Sequence, residues 1–188
     1  CDEEFLVLFD ALDGRTFHHR HVSLETVFDG EACTDWTQAN AFAQRMKFPS
    51  HHLVVRPLEK WKQGDTQFKG LQDKDAFRNA VEGLLEHRGS CWVETDMRAM
   101  ANPTRMRVIA DTAVRFADEL TTTCPVCQEC WFRITHPLAG LPCELCGWPT
   151  ASTRAYLHTC WACAHAETRS RPDGKRFEEP QHCGNCNP

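Results

Sequence analysis

Eight of the twelve cysteines form four Cys-x-x-Cys pairs: CPVC (Cys124, Cys127), CELC (Cys143, Cys146), CWAC (Cys160, Cys163) and CGNC (Cys183, Cys186). Two residues between thiols let a tight turn aim both sulfurs at one ion, and two such turns complete the tetrahedron that structural Zn(II) prefers. Fifteen residues separate the first pair from the second and nineteen separate the third from the fourth. Both gaps fit the spacing of a four-cysteine zinc site. The expectation is two structural Zn(II) ions in a tandem zinc-ribbon unit over residues 124–188. Pairing first with second and third with fourth is the simplest assignment. The segment TRAYLHTCWACAHAETRSR, whose third knuckle sits between two alternating runs, reads as a hairpin tip and supports it. Spacing alone leaves an interleaved cross-brace open. A disulfide framework would want a secretory leader and dispersed cysteines, and a redox pair would want a thioredoxin-like setting. Four clustered pairs favour metal.

Four sulfurs fill each site, so Cys130 reads as a packed spare thiol, and His136, His158, His165 and His182 as surface or supporting groups. Closed all-cysteine sites leave no position for catalysis. Residues 124–188 hold six Lys or Arg and six Asp or Glu. A nucleic-acid grip would need Arg133, Arg154, Arg169, Arg171, Lys175 and Arg176 to gather on one face; otherwise the unit is a structural cap or a protein-docking module.

The second concentration of chemistry is WVETDMRAMANPTRM, residues 92–106. Asn102 is a good helix N-cap and Pro103 suits the first helical position, so Arg105 falls in a first turn, where the partial positive charge of the helix disfavours it unless an anion is near. Two sources of that anion stand. Glu94 or Asp96 pairs with Arg98 or Arg105 and braces the loop, or a bound phosphate or carboxylate sits at the helix terminus, with an acid available for Mg(II) or as a base. The candidate catalytic residues are therefore Glu94, Asp96, Arg98 and Arg105, and the candidate ligand-binding residues Lys69 and Asn102. Lys69-Gly70 alone is a weak phosphate signal and usually a turn.

The elements that must position these groups follow from periodicity. Strands are expected at Glu3–Asp10, Arg15–Leu24, His52–Pro57 and Ser90–Thr95, the first two joined as a hairpin through Asp13-Gly14. Helices are expected at Asp35–Lys47, at Asp75–His87 with Gly89 as exit, and from Pro103 through Leu120 with Met106, Ile109, Ala110, Ala113 and Ala117 as the apolar stripe. FPSHH and QFKG read as loops. The unbroken run Phe5–Phe9 reads as a strand covered on both faces, which wants neighbours upstream; Cys1 as a nucleophile is the less favoured reading of that terminus. FHHRHV reads as a polar edge strand rather than a metal cluster, because adjacent histidines face opposite ways. The expected fold class is an α/β domain, residues 1–123, with a mixed sheet and flanking helices and expected to lack its amino-terminal part, followed by the zinc unit. With 188 residues, 41% of them hydrophobic, the chain can bury one core and a small second unit. No stretch approaches the roughly 18 apolar residues of a membrane span and no basic-then-apolar leader is read in these residues, so cytoplasmic residence and no membrane partner are expected. The formal charge of −5 gives no general attraction to polyanions.

ETDMRAMANPTRM, GLPCELCGWPT and the final HCGNCNP, with SLETVFDG and FPSHHLVVRP, resemble an uncharacterised bacterial family, domain of unknown function 6671, over nearly the whole chain. The resemblance implies a further amino-terminal region with a strand and Gly-rich elements, and implies no reaction. A weaker similarity of layout points to inosine or xanthosine triphosphate pyrophosphatases, Mg(II)-dependent α/β enzymes. It implies that Lys69 and Arg105 contact phosphate or base and that Asp96 binds metal, although the zinc unit is foreign to those enzymes. Two functions follow as expectations. One is a binder of, or enzyme on, a phosphorylated small molecule or nucleotide; the other is a non-enzymatic zinc module that recruits nucleic acid or protein.

Overall fold

The computed structural model describes residues 2–58 and 66–188. Cys1 lies outside them. The chain divides into two compact units, Cys1–Val114 and Arg115–Pro188. The division falls inside a helix, Pro103–Thr121.

The first unit begins with the expected hairpin, β1 (Asp2–Phe9) against β2 (Thr16–Ser23), antiparallel with Phe5 opposite Arg20. It corrects one reading. β1 is not covered on both faces: Phe5, Val7, Leu8 and Phe9 are exposed. β2 is the polar strand foreseen, and no histidine-based metal cluster forms among the described residues.

The main sheet has the order β3 (Gly30–Cys33), β6 (Cys91–Thr95), β4 (Leu53–Arg56), β5 (Phe68–Leu71). Every pairing in it is antiparallel, so the expected mixed sheet is replaced by an antiparallel one. β3 and β5 fall where no strand was expected, and Lys69-Gly70 lies on β5 rather than in a loop. Both are four residues long and contain a glycine, which weakens strand patterning. Gly30 is required by packing: a Cβ there would stand 2.6 Å from the Trp92 ring.

Helices α1 (Trp36–Arg45) and α2 (Lys74–Arg88) cover one face of this sheet. Asp35 caps α1 by accepting from Gln38 N, and Asp73 caps α2 by accepting from Asp75 N and Ala76 N. Gly89, at φ 70°, closes α2 in the left-handed region that glycine tolerates. The core lies between: Phe42, Ala39, Phe77, Val81, Leu53, Val55, Cys91 and Val93, with Trp36 and Phe48 packed on Phe77. Cys33 and Cys91 are opposed across β3 and β6, and burial first of all pushes their thiols up to about 12 and about 11. They act as small hydrophobes.

α3 (Pro103–Thr121) forms as expected but buries a different face. Its buried positions are Thr104, Val108, Thr112 and Phe116, while Met106 is 46% exposed. Threonines hold that face because their hydroxyls are satisfied: Thr112 Oγ1 donates to Val108 O (2.6 Å), and Thr104 Oγ1 lies 3.0 Å from His51 Nε2.

The second unit is built on an antiparallel meander, β7 (Arg133–Ala139), β8 (Thr153–Thr159) and β9 (Ala166–Ser170). Its apolar interior is small. Phe132, Cys124 and Cys160 make one cluster, with His165 stacked on the Phe132 ring and the Arg169 guanidinium 5.0 Å from its centroid.

Candidate functional site

The four knuckles share a construction. The first cysteine of three knuckles donates its N–H five residues on, from Cys124 to Glu129 O, Cys143 to Trp148 O and Cys160 to His165 O, each at 2.8 Å. The fourth residue after that cysteine donates back, from Gln128 to Cys124 O (3.0 Å), Gly147 to Cys143 O (2.9 Å) and Ala164 to Cys160 O (3.2 Å). Asn187 makes the same bond to Cys183 O at 2.8 Å. The turn this requires puts Gln128, Gly147 and Ala164 at φ 62°, 72° and 58°.

The meander decides which knuckles meet. In an antiparallel meander alternate connections share an end. The first knuckle precedes β7 and the third follows β8, and the register sets Arg133 beside Thr159. The second follows β7 at the opposite end, where the chain returns after β9 toward the fourth. A parallel bridge, with Glu144 N donating to Glu178 O (2.9 Å) and Glu178 N to Pro142 O (2.9 Å), fixes that return. The quartets are therefore Cys124, Cys127, Cys160, Cys163 and Cys143, Cys146, Cys183, Cys186. This corrects the sequential assignment: the pairing is interleaved.

Both quartets have the dimensions of a metal site. All four sulfurs of each lie within 4.8 Å of one another. The closest approaches are 3.5 Å (Cys127–Cys160), 3.7 Å (Cys124–Cys163), 3.7 Å (Cys146–Cys183) and 3.9 Å (Cys143–Cys186). A tetrahedron with metal–sulfur arms of about 2.3 Å has edges of about 3.8 Å, so each quartet could hold one ion. The first cysteine of each pair is buried and the second faces solvent. Charge points the same way. A backbone hydrogen bond from Trp148 brings Cys146 down to about 6, while the hydrogen bond to Cys146 pushes Cys186 up to about 12. Crowded thiols cannot all ionise without a cation between them.

The charged stretch builds a second locus, in the first unit. Lys69, Glu94, Asp96, Arg98 and Arg105 all line one cavity of about 410 Å³, together with Phe28, Val54, Gln67, Thr95 and Met97. β5 brings Lys69, the end of β6 brings Glu94, the following loop brings Asp96 and Arg98, and the first turn of α3 brings Arg105.

Asp96 is buried, and burial alone would raise its carboxyl; bonds from Arg98 and Gly70 outweigh this and hold it below the usual range. Oδ1 accepts from Arg98 N (3.1 Å) and Nε (3.0 Å), and Oδ2 accepts from Arg98 Nη2 (2.6 Å) and Gly70 N (3.0 Å). Gly70 sits at φ 69°, and a Cβ there would meet Arg98 Nη2 at 3.0 Å. The Lys-Gly pair thus matters for its glycine as much as its lysine.

Glu94 accepts from Trp92 Nε1 (2.7 Å) and from Arg56 Nη2 (3.3 Å), and Arg56 in turn lies over the Trp92 ring. Arg105 finds its anion in Glu4, at 3.1 Å from Nε, and also donates to Met97 O. Spacing could not have revealed Glu4, which is 101 residues away. Asn102 does not line the cavity. It is fully buried and acts as the cap foreseen, with Oδ1 accepting from Arg105 N (3.0 Å) and Nδ2 donating to Val27 O (3.1 Å). Of the two sources of negative charge weighed for this stretch, internal bracing accounts for Asp96 with Arg98. Lys69 is bonded to no carboxylate among the described residues.

The chain is thus an α/β protein with two potential metal centres, cross-braced in its second unit. Residues 1–188 match the family described as a domain of unknown function (DUF6671), and the chain belongs to that family. No curated protein and no solved structure matches it. No helix among the described residues is long and apolar enough to cross a membrane.

Proposed function

We propose that the protein binds a phosphorylated small molecule, a nucleotide in the first instance, in the cavity of its first unit, and that two Zn(II) ions hold its second unit together. The observation that carries the reading is the convergence of Lys69, Arg98 and Arg105 from three elements on one 410 Å³ cavity. Arg98 is half exposed while Asp96 fixes one edge of its guanidinium, so a second edge is presented already oriented. Phe28 and Val54 give an apolar wall for a base or acyl group.

Both acids of the site are engaged by internal donors, Asp96 by Arg98 and Gly70 and Glu94 by Trp92 and Arg56. That supports recognition over Mg(II)-dependent hydrolysis, and the pyrophosphatase analogy gains nothing from the antiparallel sheet. Zn(II) supplies a closed tetrahedral crosslink and no open position.

The test is a thermal melt of the zinc-loaded full chain with inorganic phosphate, pyrophosphate and a panel of nucleoside mono-, di- and triphosphates. A binder at 100 times its Kd should add about 2.7 kcal/mol of stability. Lys69→Ala, which removes no side-chain bond to a carboxylate among the described residues, should weaken that binder about tenfold or more. A melt that none of these ligands moves defeats the proposal. Mass spectrometry under native conditions should find two zinc ions per chain.

A further inference from the structure

The second unit carries a cavity of its own, of about 440 Å³, lined by Leu141, Pro142, Arg154, Ser170, Arg171, Gly174, Lys175 and Arg176. Four of its eight lining residues are cationic and none is acidic. The whole chain has a formal charge of −5, so this gathering is not a by-product of general basicity. We infer that this cavity is a phosphate-binding site, formed by Arg154, Arg171, Lys175 and Arg176 and independent of the cleft in the first unit.

Strand pairing puts the first two together. Ala155 stands opposite Ser170, so one step further Arg154 comes beside Arg171. Like charges side by side across two strands are unfavourable unless an anion lies between them. The second two arrive by a turn: Gly174, at φ 68°, reverses the chain, with Gly174 N donating to Arg171 O (3.3 Å) and Lys175 N to Asp173 Oδ1 (3.2 Å).

Two of the four are held and two are uncommitted. Arg171 donates from Nη1 to Thr153 O (2.7 Å) and from Nε to Asp173 Oδ1 (2.9 Å). Lys175 Nζ is 2.7 Å from Glu178 Oε1, a carboxylate 6% exposed that is anchored beside the second quartet. Arg154 and Arg176 have no carboxylate partner among the described residues, and both are exposed. A wall of positioned cations with two free guanidiniums is the arrangement that receives a phosphate oxygen fork.

Phosphate chemistry reaches such a site from two sources, a free phosphorylated small molecule or the backbone of a single-stranded nucleic acid. The zinc-loaded full chain carrying Lys69→Ala, which weakens the first-unit cleft, is titrated at 50 mM salt with inorganic phosphate, pyrophosphate and a fluorescent single-stranded RNA twelve-mer. Binding of at least one probe is expected, and Arg154→Ala and Arg176→Ala should each weaken it about tenfold. If the source is a nucleic-acid backbone, the twelve-mer binds at least tenfold tighter than phosphate and its affinity falls steeply with salt. If the source is a small molecule, pyrophosphate matches or exceeds the twelve-mer. The proposal is overturned if no probe binds, or if the Arg154→Ala, Arg176→Ala double variant binds as tightly as its parent. It is also overturned if that double variant loses zinc from the second quartet, because the cations would then only be balancing the thiolates.

Discussion

Gln128, Gly147 and Ala164 occupy the same place in three knuckles, four residues after the first cysteine, and all have positive φ. Only one of the three is glycine. A side chain in the left-handed region costs about 1–2 kcal/mol, part of which a glycine returns through the greater freedom of its unfolded chain. Ala164→Gly should therefore stabilise the zinc-loaded second unit by about 0.5–1 kcal/mol, and Gly147→Ala should destabilise it by about 1 kcal/mol or more. Urea titration followed through Trp148 and Trp161, both in this unit, reads both changes. Equal stabilities for the three proteins would mean that the shared turn is absent in solution. Gly70 in the first unit is constrained more tightly, because its left-handed backbone strains any side chain and a Cβ there would also have to displace the Arg98 guanidinium.

At the scale of elements, α3 enters through Asn102, which satisfies both Arg105 N and Val27 O while fully buried. Asn102→Ala removes the cap and strands a carbonyl, so a loss of about 2–3 kcal/mol is expected in urea unfolding. A loss under 0.5 kcal/mol would show that the cap is not made. The sequence allowed the helices to be read, since Asn102-Pro103 and Gly89 punctuate them by local chemistry alone. It hid the buried face of α3, because that face is made of threonines whose hydroxyls find partners only in the fold. β3 and β5 were illegible as four-residue strands with a glycine each. β7 was missed too; it contains Pro137, which its place at the edge of the sheet tolerates. That miss propagated: with β7 counted, alternation of the meander would have given the interleaved pairing. The four candidate catalytic residues of the charged stretch and Lys69 do share a cavity, but Glu4, the anion that answers Arg105, is joined to it by tertiary structure only.

Over the whole molecule, interleaving makes a prediction that sequential ribbons reverse. Serine replacement of the first and third pairs removes one quartet and spares the other, so one tightly held ion should remain. Replacement of the first and second pairs leaves two sulfurs in each quartet, and no tightly held ion should remain. Native mass spectrometry separates the outcomes, and the opposite pattern would refute the cross-brace. In either variant the first unit keeps its own core around Phe42 and Phe77, so its unfolding transition should persist after metal is lost.

Because each quartet takes two cysteines from before residue 147 and two from after residue 159, the turn leading into β8, residues 148–152, is a tether the ions duplicate. A protease that nicks the backbone there should yield two peptides that still migrate as one particle. They should fall apart only when a chelator strips the zinc, as if the ions were rivets through two overlapping plates.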